Sequence, residues 1–288
     1  MNRALDSFWA EWLKLRKRPA VWVLGAILVA LVALFGYGFL FLLLATQPPN
    51  ATLGPGVTAE ALRQTLHPAH WVQMTLGNFT ANGVGPPIAL ILGVLGYGSE
   101  YGWTTMKTIF TLRPGRLATL AGKLGATALV LGVYVVAVFV ATAACASAIG
   151  AADGALGTWP SPIDVAKGVL SAWLLLGMWA GLGMLLSVLF RQSALAIGLG
   201  LIYAIVLEGV VLNLAAQFAW VRSISPGFPG VNASALVRSF GSALEPTAAQ
   251  AAAAGQTIGP VQAVLVLLLY LVVFVAISAA LLRTRDVT

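Results

Sequence analysis

Glu208 is the residue whose type and place most directly ask for chemistry, a carboxylate within the apolar run 194–214. A charge at the middle of a membrane span costs at least about 2.5 kcal/mol. Its side chain must face a cavity, a partner helix or water, and protonation would ease the cost. Two roles are open: a substrate or proton contact, and a structural hydrogen bond between helices. His67 and His70 stand three apart, but Pro68 disturbs a shared helix face. Two nitrogens with no carboxylate or thiol nearby in sequence fall short of a metal site. The run Gly115…Gly122-Lys123-Leu124 imitates a phosphate-binding loop. Such a loop needs GxxxxGK[ST], with lysine on the phosphates and a hydroxyl on magnesium. Here the glycine spacing is wrong and Leu124 has no hydroxyl. No HExxH, nucleophile elbow or cluster of metal ligands occurs. The chain is therefore expected not to be an enzyme and to hold neither cofactor nor metal.

The elements that would position these residues follow from composition. Of 288 residues, 59% are hydrophobic and only 9% charged, too few charges to cover a water-soluble globule of this size. The reading is an all-α polytopic membrane protein, one transmembrane domain over 1–288, with no separate soluble domain. Apolar runs long enough to cross a bilayer cover about 21–45, 124–149, 169–190, 194–214 and 261–282. A sixth, near 87–97, is short and extends back through 77–86, where Asn78, Asn82 and Pro86-Pro87 break the pattern. Irregular backbone at that depth needs cover from protein or a wet cavity. Six spans result, the second irregular at its outer end. Gly177 and Gly181 form a GxxxG on the fourth, suited to close approach of another helix. Cys145, the single cysteine, is read as a small core residue.

Charge sets the direction. Arg3, Lys14, Arg16, Lys17, Arg18, Lys107, Arg113, Arg116, Lys123, Arg191, Arg283 and Arg285 fall on one set of connections. Only Arg63, Lys167, Arg222 and Arg238 fall on the other, beside Glu60, Asp153, Asp164 and Glu245. The positive-inside rule places both termini in the cytoplasm. Because the bases flank apolar spans, the net charge of +7 reads as orientation and not as nucleic-acid binding. The outer segments 46–84 and 213–260 are long enough to carry short helices of their own. Sequons at Asn50, Asn78 and Asn232 fall in or beside them.

Two segments carry a mechanical reading. Over residues 2–18, Leu5, Phe8, Trp9, Trp12 and Leu15 form a stripe opposite Arg3, Asp6, Glu11, Lys14, Lys17 and Arg18, with Arg16 adding to the basic end. A helix with a Trp/Leu face and a basic face lies flat in the headgroup region, as a topological anchor or as a lever on the spans. Pro19 then opens the first span, where its missing N–H is harmless. The cytoplasmic segment 99–123 reads SEYGWTTMKTIFTLRPGRLATLAGK. Trp103, Met106, Ile109 and Phe110 recur at helical spacing with Lys107 turned away, a pattern suited to docking in a groove on a partner. The plain alternative is a solvated loop whose bases only set orientation.

At these residues the chain resembles the type-2 permease subunits of ABC transporters. Glu100, Tyr101, Trp103, Thr105, Lys107, Phe110, Arg116 and Lys123 stand where that family's loop after span two has its usual glutamate, aromatics, threonine and bases. The opening AEWLKLRKRPAVW matches its usual entry through Glu11, Lys14, Leu15 and Arg18, while Thr104 stands where glycine is common. The resemblance implies that the loop inserts into a cleft on a cytoplasmic ABC ATPase subunit. The side bearing Trp103, Met106, Ile109 and Phe110 would pack there, and Lys107, Arg113 and Arg116 would meet acidic groups or lipid phosphate. Apart from the resemblance, and compatible with it, Glu100 at the exit of span two reads as a carboxylate stabilised at the N-terminus of a short helix. ATP and magnesium would belong to that partner, present in two copies beside a second permease chain. The expected setting is the plasma membrane of a bacterium, with a hydrophobic or amphipathic cargo (drug, antimicrobial peptide or lipid) moved outward. Two other readings stand beside it: an ion-coupled secondary transporter using Glu208, and a non-transporting sensor subunit that regulates an ATPase through the same loop.

Overall fold

The computed structural model describes residues 3–54, 57–80, 83–102, 116–210, 214, 218–241 and 258–284. Five helices among them are long and apolar enough to cross a membrane: Pro19–Ala45, Leu117–Ala152, Pro162–Phe190, Ser193–Val210 and Pro260–Thr284. Gly85–Gly98 is apolar but shorter. Helix α6 (Gly85–Gly102) runs through the middle of the bundle, and Ile88, Ala89, Leu90, Leu92, Val94 and Tyr97 are all buried by protein.

Helix α1 (Arg3–Lys17) ends at Arg18, whose extended backbone turns the chain into α2 (Pro19–Leu31) with Pro19 in the first turn. The first span widens to π-helical geometry over Val32–Gly38 and returns to α-helix as α3 (Phe39–Ala45). A short antiparallel strand pair, β1 (Thr52–Gly54) with β2 (Val57–Thr58), is a small addition to the mostly helical fold. After it come two short helices, α4 (Ala59–Gln64) and α5 (Trp71–Gly77). Following α6, α7 (Arg116–Ala152) has 37 residues. At 1.5 Å per residue it is roughly 55 Å long. That exceeds a hydrocarbon core of about 30 Å, so α7 projects beyond the span. Helix α8 (Pro162–Phe190) is capped by Ser161, which accepts from the Asp164 N–H at 3.2 Å and donates to the Asp164 carboxylate at 2.7 Å. Arg191 takes left-handed geometry at the end of α8 (φ 54°) and reverses the chain into α9 (Ser193–Leu201). A π-helical segment, Ile202–Leu207, follows. Then come α10 (Ala219–Ile224), α11 (Pro229–Arg238) and α12 (Pro260–Thr284).

Helices α6 and α8 make the tightest contact in the bundle. A Cβ on Gly93 would overlap the carbonyl oxygen of Ala180, and one on Gly183 would overlap the carbonyl oxygen of Leu90. These glycines bring the two backbones together. Of the GxxxG expected to let another helix approach, Gly181 does lie against α12, where a Cβ would come nearest to the Leu271 and Phe274 side chains, while a Cβ on Gly177 meets no atom within 4 Å. Glycine spacing does not say which face of a helix is the contact face. Helix α2 crosses α7 where Gly25 lies against the Tyr134 ring, whose hydroxyl donates to the Val21 carbonyl.

Several boundaries shift. Residues 99–102 continue α6 and 116–123 already belong to α7, so the segment expected as one loop over 99–123 is partly two helix ends. Glu100 therefore sits in the last turn of α6, not in the first turn of a new helix. In the stretch 77–86, expected as the irregular outer end of span two, α6 begins at Gly85 with Pro86 and Pro87 in its first turn, and the short helix that ends at Gly77 is α5. Its Trp71 indole and Thr75 hydroxyl both donate to Thr142 of α7 at 2.9 Å. Irregularity also occurs elsewhere, since the π-helical segments Val32–Gly38 and Ile202–Leu207 lie within two of the membrane-length helices.

Candidate functional site

The end of the bundle beside α1 is built around one buried ion pair. Lys123 donates to the Glu11 carboxylate at 3.1 Å, and both side chains are almost fully buried. The Lys123 ammonium also lies 5.6 Å over the Tyr97 ring and 3.4 Å from the Gly96 carbonyl. Lys14 reaches the other Glu11 oxygen at 2.9 Å from a more exposed position. Burial of two charges is tolerable only when each has such partners. Around the pair, Ser7 seats against Gly122, where a Cβ would collide with it, and Phe8 lies against Gly125. Arg18 donates to the Leu95 carbonyl of α6 at 3.0 Å. Helix α1 is thus clamped to the last turns of α6 and the first turns of α7.

This reorders the expected faces of α1. Its inward side is Ser7, Glu11 and Leu15, with Phe8 and Trp12 half-buried at its flanks, while Trp9 is 63% exposed and Leu5 and Leu13 also face outward. Glu11 was expected on the polar outer side and lies inside because Lys123, far along the chain, meets it there. Arg16 and Lys17 are exposed. Trp103, Thr105, Met106, Lys107, Ile109, Phe110 and Arg113 lie outside the described residues. For Glu100, Tyr101 and Arg116 only the helical backbone is described. A small second core of Tyr97, Leu120, Met184 and Val188, packed with Leu281 and Leu282, gathers the same ends of α6, α7, α8 and α12. The ends bearing Lys123, Arg191 and Arg283 therefore lie together.

At the far end of α7, Asp153 receives a two-pronged contact from Arg63, through Nε at 2.8 Å and through Nη2, and its Oδ2 lies 3.0 Å from His67 Nε2. The carboxylate that His67 lacks in sequence arrives from 86 residues away. Arg63 neutralises it, and among the described residues no group of three or more His, Cys, Asp or Glu could hold a metal ion. The guanidinium beside Asp153 holds its carboxyl below the usual carboxylate range. This contact fastens the α4 segment to α7. Asp153→Asn is expected to cost about 1 kcal/mol, since Arg63 is partly solvent-screened. The lowered native pKa means the contribution is present at neutral pH and fades only as pH falls through that value, below an ordinary Asp pKa of about 3.9. Thermal melts of both proteins from pH 7 downward check this, the gap between them holding at neutral pH and narrowing toward the acid end.

Glu208 is fully buried, and its Oε2 accepts the Gly230 N–H at 3.1 Å. Gly230 lies in the first turn of α11, where free N–H groups and the helix dipole favour a carboxyl oxygen. The segment Pro229–Arg238 was expected in an outer loop. In fact Pro229, Gly230, Val231, Asn232, Ala233, Ala235, Leu236 and Val237 are all buried. A helix apolar on nearly every side belongs inside a protein. Tyr270, ten residues into α12, donates to the Gly227 carbonyl at 2.9 Å, so the 225–229 turn reaches well down among the spans. Asn232 closes that turn by donating to the Pro226 and Phe228 carbonyls at 2.7 and 2.8 Å. Its sequon is therefore buried, and the Asn78 amide likewise donates to the Met74 carbonyl, leaving Asn50 as the exposed one of the three.

A family model described as ABC-2 family transporter protein matches residues 7–207, from α1 through the π-helical segment of the fourth membrane-length helix, Ser193–Val210. A search of curated proteins found no match. The matched stretch includes both members of the Glu11–Lys123 pair and the whole segment between α6 and α7. The chain is a membrane permease belonging to the ABC-2 transporter family.

Proposed function

We propose that the chain is the membrane subunit of an ATP-driven exporter, powered by a separate cytoplasmic ATPase that docks on residues 99–123. The observation that carries this reading is the clamp at the base of that segment. Helix α1, the end of α6 and the start of α7 are joined through Glu11, Lys123 and Arg18. A push delivered between α6 and α7 would then move two spans and the amphipathic helix together, not bend a loop. Trp103, Met106, Ile109 and Phe110 supply the packing side of the docking element, and Lys107, Arg113 and Arg116 its basic side. Membrane subunits of this family generally work with ATPase subunits, which hold the ATP and magnesium.

The same proposal places six spans in the plasma membrane, both termini and the basic ends in the cytoplasm, and α1 at the cytoplasmic headgroups with Trp9 toward lipid. Two chains and two ATPases form the working unit, and the cargo is hydrophobic or amphipathic. Glu208 is assigned a capping role on α11, supported by its contact to Gly230. Glu208→Gln, which keeps an acceptor oxygen, is expected to leave ATP-driven transport within about twofold. Glu208→Ala is expected to lose about 1–2 kcal/mol of stability, as for a lost N-terminal cap. The check is cargo uptake into inverted vesicles with and without ATP. Uptake that needs no ATP and vanishes in Glu208→Gln would replace this reading with an ion-coupled one.

A further inference from the structure

A cavity of about 500 Å³ lies between α6, α7, α8 and α12. That is within the usual 300–1,000 Å³ of ligand sites. Its wall is almost wholly aliphatic and aromatic. Toward the α1 end it is bounded by Tyr97 and Met184, and toward the opposite end by Leu131 and Trp173. The Trp173 indole N–H is held by the Ala128 carbonyl at 2.8 Å and so closes that end without presenting a free donor. At 1.5 Å per residue, the stretches 124–131 on α7 and 173–184 on α8 make the slot roughly 10–16 Å tall, parallel to the helices. One leaflet of a hydrocarbon core is about 15 Å deep.

The slot opens sideways. Helix α12 packs mainly on α8 and α11 and touches α7 only lightly. Trp173 and Leu268, which line the slot, are exposed on the flank of the bundle. Gly177 faces the slot, with space for a side chain that no helix fills. An apolar cavity of this kind does not hold water. An occupant must be apolar, elongated along the helices and able to enter from the hydrocarbon.

We propose that this slot binds the alkyl chain of a bilayer lipid from the leaflet on the α1 side, inserted between α7 and α12. It requires the membrane placement of the family and does not depend on ATPase coupling. The chain holds α12, the least buried of the membrane-length helices, against α7 and α8, where protein contact is thin.

The full chain is reconstituted in phosphatidylcholine nanodiscs doped with phosphatidylcholine carrying a diazirine on one acyl chain. Photolysis and peptide mapping are expected to find label concentrated at 124–131 and 173–184, above that at Val140, which is exposed elsewhere on α7. Moving the diazirine from the glycerol end to the tail end should move the label from the Met184 level to the Trp173 level. Gly177→Leu fills the slot and is expected to lower this labelling about tenfold. Gly198→Leu, also placed in open space but outside the slot, should label as wild type. Label no stronger than at Val140, no ordering with depth, or full labelling in Gly177→Leu would each overturn the proposal. The depth ordering uses the unmodified chain, so the test stands even if Gly177→Leu fails to fold.

Discussion

Gly93→Ala and Gly183→Ala are each expected to cost about 3 kcal/mol and sharply reduce the yield of folded protein, the upper range for overpacking. Each added methyl would lie on a backbone carbonyl of the facing helix, that of Ala180 or Leu90. No rotamer change relieves such a clash, so α6 and α8 must move apart along the centre of the core. Gly177→Ala meets no atom within 4 Å. It removes a helix-interior glycine and is expected to be neutral or to gain up to about 1 kcal/mol. Thermal unfolding of the detergent-solubilised proteins, followed by size-exclusion recovery, separates the three. Equal loss in all three would mean that the α6–α8 contact does not run through Gly93 and Gly183.

The second large effect belongs to the buried ion pair. Glu11→Leu leaves the Lys123 ammonium buried without its carboxylate, and a broken buried pair costs about 3–5 kcal/mol. The double change Glu11→Leu with Lys123→Met removes both charges and is expected to recover stability to within about 1 kcal/mol of wild type. Lys14→Ala, which removes the outer and better solvated contact to Glu11, should cost about 0.5 kcal/mol. Recovery in the double variant shows that the cost lies in the stranded charge. If the clamp transmits force, the single variant also loses ATP-driven transport more steeply than binding of cargo.

The membrane-length helices were legible because apolar runs of that length have few other uses, and the basic residues marked one set of helix ends. What was not legible required pairing across the chain. Glu11 shares a helix with Lys14 and Lys17 and reads as solvated until Lys123 is placed beside it. Asp153 and His67 lie 86 residues apart, so the histidine seemed to lack any carboxylate. The stretch 219–238 reads as part of an outer segment with short helices of its own, because Ser225-Pro226-Gly227 breaks it, yet α11 beyond the break is mostly small and apolar apart from Asn232, Ser234 and Arg238. Small or apolar residues on most sides were the signal for burial. Gly177 and Gly181 have the spacing of a contact motif, but only the neighbours of Gly93 and Gly183 tell which pair meets.

The most direct test of the permease account is stoichiometric co-purification. The full chain, solubilised gently from its native membrane, should bring an ABC ATPase subunit with it at one copy per chain. Replacing Trp103 and Phe110 together with Ala should release that subunit and abolish ATP-driven transport, while the chain keeps its melting temperature. Absence of any ATPase in the purified complex, with transport unchanged in the double Ala variant, would contradict the account.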